Sequence, residues 1–408
     1  MKKVQIGEVA AIHHGFAFPS SGFVEYQTPY CLLTPGNFLP NGGFQAGKPK
    51  FFDGEVKPNF ILAPGDILIS MTDLSRNIDT LGSPLTVPKN HRWSYLHNQR
   101  LGKLIITSDF VNRSWLYQRL RMADYRHYVA ATSTGTTVHH TSPKTISTFE
   151  FQLPPLKTQR SIALLLGSLD DKIAANQTAV STGSELLMSL YRGVQKYAAE
   201  PFSQACDVFG GSTPSTKIDE YWGGSINWAT PTDLTALQGP WLTDTERKIT
   251  EAGLKSMSSA LHPSGSILMA SRATIGHVAV AATPVTTNQG FIVIRTTEDL
   301  VPWIFCQLQD RVREFEAWSN GATFLEISRG NFKKLPFYRA EPQDLAEFNA
   351  KAKPLLNMCK AKQAENITLA KTRDELLPLL MNGKITVREA GQEAAAAGAQ
   401  IPSEENEV

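Results

Sequence analysis

The strongest constraint on this chain is that its sequence is written twice. Pro64-Gly65-Asp66-Ile67-Leu68-Ile69-Ser70 returns as Ser264-Gly265-Ser266-Ile267-Leu268-Met269-Ala270. Asn98-Gln99 returns as Asn288-Gln289, Ser133-Thr134-Gly135-Thr136-Thr137 as Ser319-Asn320-Gly321-Ala322-Thr323, and Leu153-Pro154-Pro155 as Leu335-Pro336-Phe337. The order is kept while the offset drifts smoothly through 200, 190, 186 and 182, which four unrelated coincidences would not do. A duplicated chain of 408 residues is expected to fold as two globular units, each followed by a helical spacer.

Within each unit the pattern is strand-like. Gly65-Asp66 and Gly265-Ser266 are turn dipeptides before the short apolar runs Ile67–Ser70 and Ile267–Ala270. Residues 101–107, 275–280 and 290–294 read the same way, and a short helix is expected over 115–121 and again over 303–311. Each unit is expected to be mixed α/β with a twisted sheet.

The spacers have a different period. Ile162, Leu166, Leu169, Ile173, Asn176, Val180, Gly183, Leu187, Leu190 and Val194 alternate in steps of four and three. So do Leu345, Phe348, Ala352, Leu355, Cys359, Lys362, Asn366, Leu369, Arg373, Leu376 and Leu380. Heptads sustained that long predict a coiled coil. Asn176 and Asn366 lie near the middle of the two seams, where a polar residue fixes register at some cost in stability. Pro354 and Pro378 are expected to break or bend the second helix. Two similar halves tend to pack about a pseudo-two-fold axis, which would set the helices antiparallel. The expected fold class is therefore α+β: two mixed α/β heads in pseudo-two-fold arrangement, separated by two long helices forming an antiparallel coiled coil. The expected boundaries are 1–153 and 201–337 for the heads, 154–200 and 338–388 for the spacers, and 389–408 for a disordered acidic tail.

Composition narrows the function classes. Apolar residues make up 42% and charged residues 19%, which is ordinary for a folded chain. No apolar run approaches the ~20 residues that cross a bilayer, and the opening Met1-Lys2-Lys3-Val4-Gln5-Ile6-Gly7 lacks the apolar core of a signal peptide. The four cysteines, Cys31, Cys206, Cys306 and Cys359, form no CxxC pair, so a reducing cytoplasm is the expected location. The formal charge of +2 includes five acids and no Lys or Arg after residue 388. Residues 1–153 carry 15 basic and 10 acidic side chains, whereas 201–337 carry 11 and 13. A polyanion partner suits the first head, and bulk charge does not support one for the second.

Catalytic constellations are missing. Gly42-Gly43-Phe44-Gln45-Ala46-Gly47-Lys48 has phosphate-loop spacing, but Pro49 stands where a hydroxyl must hold the metal. Asp170-Asp171-Lys172 resembles a nuclease D-x-K yet lies on the heptad helix, where charges form a solvated face. His139-His140 has no nearby acid or thiol to complete a metal shell. No GxSxG, HExxH, dinucleotide fingerprint or methyltransferase motif occurs. Groups suited to nucleic acid do occur, and they are expected in loops. The candidates are Arg76, Asn77, Arg92, His139, His140 and Lys144 in the first half, and Lys217, Arg272, Arg329, Lys333 and Lys334 in the second. Arg reads guanine and Asn reads adenine in bidentate fashion, while Lys holds phosphates. Asn98-Gln99 and Asn288-Gln289 recur in both halves and are expected to serve shared architecture.

Longer runs carry a family resemblance. Leu153-Pro154-Pro155-Leu156-Lys157-Thr158-Gln159-Arg160-Ser161-Ile162-Ala163, continuing through Ser168-Leu169-Asp170-Asp171-Lys172-Ile173-Ala174-Ala175-Asn176, resembles the central region of type I restriction–modification specificity subunits. Gly210-Gly211-Ser212-Thr213-Pro214-Ser215-Thr216-Lys217 with Glu220-Tyr221-Trp222-Gly223-Gly224 is similar to the same family. So are Ser271-Arg272-Ala273-Thr274-Ile275-Gly276 with Thr287-Asn288-Gln289-Gly290, and the closing residues 373–385. The resemblance implies two target recognition domains, each reading half of a split duplex DNA target, with conserved helices setting the gap. It implies two modification subunits as partners, which carry S-adenosylmethionine and methylate adenine, and restriction subunits that use ATP and Mg2+. This chain would be non-catalytic and would bind no cofactor or metal. The first half departs from the pattern at residues 15–23, so no base-reading residue carries across. A coiled-coil protein-binding adaptor with two repeated heads is the alternative reading, and a self-contained DNA enzyme is a third.

Overall fold

The structure, a computed structural model, describes residues 2–75, 77–319 and 325–400. Two compact units form, residues 1–170 with 371–408, and residues 171–370. The duplication is visible in their strand registers. In the first unit an antiparallel sheet runs in the order Ala10–His14, Leu101–Ile106, Ile67–Ser70, Pro84–Thr86. In the second, Asp207–Gly210, Phe291–Arg295, Ile267–Ala270 and Val278–Ala281 take the same places, with Trp241–Leu242 added at the edge. Ile67 pairs with Leu104 and Ser70 with Leu101; Ile267 pairs with Ile294 and Ala270 with Phe291. The sequence offsets of 200 and 190 thus reproduce one register twice.

Every residue of Ile67–Ser70 and of Ile267–Ala270 is buried, so these strands are covered on both faces. The helices Arg113–Arg119 and Val301–Asp310 fall where the sequence predicts them. A tight contact recurs behind each sheet. Gly82 (φ +76°) would drive a Cβ into Val129, and Gly276 (φ +84°) would do the same into Val312. Only glycine meets both the positive φ and the close approach. Each unit also holds a smaller sheet with one parallel pair, Tyr30–Leu32 beside Ser94–Leu96 and Trp222–Ala229 beside Val285–Thr287. A two-stranded ribbon closes each unit, Lys2–Gln5 with Glu150–Leu153 and Tyr197–Pro201 with Pro336–Arg339.

The two long helices are Leu156–Gly193 and Pro342–Met381. The seam residues Ile162, Leu166, Leu169, Val180, Cys359 and Leu369 are buried, and Ile173 is half-buried. Leu355 is only half-buried, and its neighbour Leu356 takes the buried place. Within the second unit the pairing is antiparallel: the Asn176 amide donates to Asn366 Oδ1 at 2.9 Å, Asn366 donates to the Ile173 carbonyl at 3.3 Å, and Cys359 Sγ lies 3.7 Å from the Val180 carbonyl. Asn176 is 3% exposed and Asn366 half-buried, and Asn366 bridges the seam by accepting from Asn176 while donating to the backbone. The seam here is also part of a globular core: Val180, Leu187, Tyr191, Phe348 and Cys359 cluster with Trp241, Trp303 and the sheet.

Two expectations are corrected. Of the break or bend expected at Pro354 and Pro378, the break is absent, because the second helix is continuous over 40 residues. The carbonyls that lose a partner belong to Ala350 and Asp374, both on the exposed face where water can satisfy them. The tail is also not disordered from residue 389. Val387–Ala396 is a helix with a capping box between Thr386 and Glu389, and it buries Ala390 and Ala394. Residues 401–408 lie outside the described residues.

Replacing Asn176 alone by Leu is expected to destabilise the chain by about 1–3 kcal/mol, because Asn366 Oδ1 loses its donor within the seam. The double replacement Asn176→Leu with Asn366→Leu should recover most of that loss in equilibrium denaturation. A second expectation concerns two buried histidines. His97 donates from Nε2 to the Leu101 carbonyl at 2.9 Å, His262 accepts from Arg295 Nε at 3.1 Å, and burial pushes both pKa values down to about 4. Unfolded, each titrates near 6.5. The unfolded state therefore binds the extra protons between those values, and the stability they give is full above pH ~6.5 and lost as pH falls toward 4. Denaturation midpoints should drop across that window, on the order of 2–3 kcal/mol per histidine, and the drop should be shallower in His97→Gln.

Candidate nucleic-acid interface

In the second unit the glycine-rich run 210–217 is a loop held from three sides. Gly211 lies so close to the Thr287 and Asn288 carbonyls that any Cβ would overlap them, and Ser212 N–H donates to the Thr287 carbonyl at 2.9 Å. Two indoles clamp the rest: Trp228 Nε1 donates to the Ser212 carbonyl at 3.1 Å and Trp222 Nε1 to the Ser215 carbonyl at 3.2 Å. The two rings meet edge to face at 5.0 Å, and Arg247 stacks 3.6 Å from the Trp222 centroid. The separated halves of the sequence motif are thus one mechanical device, a loop and its tryptophan brace.

This loop borders an open cleft of about 330 Å³ lined by Gly210, Gly211, Ser258, Ser259, Ser271, Gln289, Glu326 and Arg329, among others. Gln289 accepts from Thr213 Oγ1 at 2.6 Å. Arg272 adjoins the cleft, half-buried against Gly290 and bridged through its backbone to Glu326. Arg329 begins the helix Arg329–Lys334, which Ser328 caps. Among the described residues, the side chains of Lys217, Arg272 and Arg329 make no hydrogen bond or ion pair, in contrast to Arg295, Arg311 and Lys248, which are all partnered.

The corresponding edge of the first unit is organised by a carboxylate. Asp73 is 2% exposed and accepts from the backbone N–H of Ser75, Thr80 and Leu81 at 2.6, 2.5 and 2.9 Å, and from Thr80 Oγ1 at 2.9 Å. Burial alone would raise its pKa, but these donors outweigh it and hold the carboxyl below its ordinary value. The loop so closed carries exposed Asn77. His139–His140 forms a ribbon with Thr72–Asp73, with His140 Nδ1 3.1 Å from Thr72 Oγ1. Arg126 braces the same loop by donating to the Asp79 carbonyl at 2.7 Å.

Residues 1–180 and 202–338 match the family model of the type I restriction modification DNA specificity domain. The chain belongs to this family. It is 36% identical over 173 residues to the type I restriction enzyme MjaIX specificity subunit of Methanocaldococcus jannaschii, covering 42% of this chain and 40% of that protein. It is 25% identical over 182 residues to the HindI specificity subunit of Haemophilus influenzae, covering 44% and 39%. The matched stretches span about two fifths of the length of these relatives. In fold the chain resembles the crystal structure of a type I restriction–modification S subunit from M. genitalium, with a TM-score of 0.56 over 93% of this chain and 95% of that one at 12% identity.

Placed on the two specificity domains, the sequence candidates divide. Arg329 lines the second domain's cleft, Arg272 stands beside its lining residues Ser271 and Glu326, and Lys217 is exposed on the braced loop. Asn77, His139 and His140 share the edge organised by Asp73. Arg76 lies outside the described residues, as does most of the repeated segment 319–323. Arg92 sits in a separate loop beside Trp93, which packs on Phe51. Lys144 is exposed on the helix Pro143–Ser147. Lys333 and Lys334 end the helix that Arg329 begins and do not line the cleft. The solvated-face reading of Asp170 is corrected: it is half-buried and accepts from Gln118 Nε2, Arg121 Nη1 and Arg373 Nη1 at 2.9, 3.2 and 2.8 Å, which makes it a structural counter-ion. Asn98 and Asn288 do serve shared architecture, each accepting at 2.9 Å from the backbone N–H two residues on. Gln289 differs, because its side chain reaches the cleft. Sequence reading missed Asp73 and the tryptophan brace as loop organisers, although Trp222 was in view within the motif.

Removal of one indole brace should free the loop without unfolding the sheet. Trp222→Ala is expected to raise the rate of tryptic cleavage after exposed Lys217 by about five- to tenfold, the equivalent of one lost hydrogen bond of ~1 kcal/mol. Far-ultraviolet circular dichroism of the full chain should be unchanged.

Proposed function

We propose that the chain is the sequence-reading subunit of a type I restriction–modification complex. Each unit binds one half of a split duplex DNA target, and the chain positions two modification subunits and the restriction subunits. Methyl transfer from S-adenosylmethionine and ATP- and Mg2+-dependent cleavage belong to those partners, and this chain is non-catalytic and binds neither cofactor nor metal. The complex works in the cytoplasm. Among the described residues no helix is long and apolar enough to cross a membrane.

The observation that carries this reading is one scaffold built twice with different exposed groups. The shared positions are structural: Gly82 with Gly276, Asn98 with Asn288, and Ile67 with Ile267. The loops beside them differ, with Asn77 and His140 on one edge and Arg272 and Arg329 on the other. A protein that multiplies two independent half-site affinities needs that division between constant frame and variable loops. Co-expression with the neighbouring modification subunit in a methylation-free host, followed by single-molecule mapping of N6-methyladenine, should yield a split motif with a fixed gap that is absent without this chain. A stable complex that methylates nothing would overturn the reading in favour of a protein-binding adaptor.

A further inference from the structure

The strand registers fix which residues of the two copies correspond at the loop end of the central sheet. Gly102 pairs with Ile69 and His14, and Ile292 pairs with Met269 and Gly210, so His14 and Gly210 hold one position. Arg100 and Gly290 hold another. Each donates its backbone N–H to the side chain of Asn98 or Asn288 at 2.9 Å, and each carbonyl accepts from Met71 or Ser271 at 2.9 Å. Thr72 and Arg272, the next residues along, are equivalent through their ribbon partners His140 and Glu326. Ser142 and Ser328 then cap corresponding short helices, which makes Pro143 the counterpart of Arg329.

On this shared frame the nitrogen donors have changed places. The first copy carries exposed His14 and Arg100 at the strand ends, with Thr72 and Pro143 opposite. The second copy has glycine at both strand ends, and its donors, Arg272 and Arg329, stand opposite. Each arginine enters the space its glycine leaves. Arg272 Nε lies 3.1 Å from where a Cβ of Gly290 would stand, and Arg329 Nη1 lies 3.3 Å from where one of Gly210 would. Neither glycine has a positive φ, so backbone conformation does not call for glycine at either place. None of the four donor side chains makes a hydrogen bond or ion pair among the described residues.

A group kept at one place in space while its place in the chain changes is tied to what it meets outside. Two half-sites differ in their bases and share the phosphodiester backbone. We propose that Arg100 in the first unit and Arg272 in the second hold the corresponding backbone phosphate of their half-sites, with His14 and Arg329 donating beside them. The inference rests on the split-target reading above. An imidazole can stand in for a guanidinium in this role because a phosphate accepts from any N–H donor, whereas guanine demands two donors in a fixed fork. Selection of bases then falls to the other groups that differ between the two edges, Asn77 and His140 in one unit and Glu326 in the other.

The test uses the purified complex with the modification subunit, bound over a range of salt to a duplex carrying its mapped methylation motif. Arg100→Gln and Arg272→Gln should each weaken binding about tenfold on every sequence alike and make the log–log salt slope shallower by about 1. N6-methyladenine mapping should return the parental motif and gap. Arg272→Lys should retain most of the affinity, since Lys also holds a phosphate. Adding Thr72→Arg to Arg100→Gly gives the first unit the arrangement of the second, and should recover most of what Arg100→Gly alone loses. A changed base preference in any of these variants would make the residue a base reader and overturn the proposal, as would unaltered affinity and slope in the Gln variants. An Arg272→Lys complex as weak as Arg272→Gln, or an exchange variant that assembles and recovers nothing, would overturn it too. A parent complex with no split motif would instead remove the reading on which the proposal rests.

Discussion

Everything in each unit hangs on a central strand buried on both faces. Because all four residues of Ile67–Ser70 and of Ile267–Ala270 are covered, alternation of polar and apolar side chains cannot set their register. The ends set it instead. Gly65 and Gly265 make the turn into the strand with positive φ, and Gly82 and Gly276 make the return where a side chain would strike Val129 or Val312. A strand pinned at both ends by turns that only glycine makes readily has one register, and the neighbouring strands inherit it. The loops that leave its far end are then delivered to fixed places, whatever residues they carry.

The helical part obeys a related rule about polar groups. Gln159 is fully buried at the start of the first long helix. It donates to the Phe110 and Pro154 carbonyls at 3.0 and 2.8 Å and accepts from Asn112 N–H at 2.7 Å. Asp170 gathers Gln118, Arg121 and Arg373 in the first unit, and Gln307, also fully buried, gathers Arg311 and the Tyr338 backbone in the second. Asn176 donates to Asn366, which donates in turn to the Ile173 carbonyl. Each contact wastes burial unless its partner is in register, so together they define a single alignment of helix against head where leucines alone would accept several.

The duplication, the central strands, the short helices and the seams were legible because each is signalled within a few residues, by glycine turns or by spacing of three and four. What escaped has partners far along the chain. Tyr30–Leu32 lies parallel to Ser94–Leu96 across some 60 residues of sequence, and nothing local announces a three-residue strand. Asp170 read as a surface charge because Arg121 and Arg373 are 49 and 203 residues away. A break at the two prolines was one of the two outcomes sequence allowed, since sequence does not show which face of the helix loses its hydrogen bond. The alanine run read as disorder because its composition lacks large apolar groups, yet alanine is the best helix former and Ala390 and Ala394 bury without side-chain entropy loss. In the candidate interface the residue types were legible, but their grouping was not. Arg92, Lys333 and Lys334 resemble Arg272 and Arg329 in sequence and differ only in where the fold leaves them.

The negative balance of residues 201–337 looks unsuited to a polyanion until the charges are followed to their partners. Lys248 lies 3.0 Å from Asp244, Arg311 lies 2.7 Å from Glu314, and Arg295 donates to His262 and to the Leu261 carbonyl. Those cations and acids are spent within the fold. At the cleft the balance reverses, because Arg329 in its lining and Arg272 beside it have no partner among the described residues and Glu326 is the one acid that lines it, whereas on the braced loop Lys217 is followed by exposed Asp219 and Glu220. Over a screening length of about 10 Å, a phosphate responds to this local surplus and not to the domain total. On the proposed reading, a head can therefore carry net negative charge, which would limit indiscriminate binding to any duplex, and still present cations to the one it docks on. Sequence selectivity would gain from that arrangement, since a weaker uniform attraction leaves base contacts a larger share of the binding free energy.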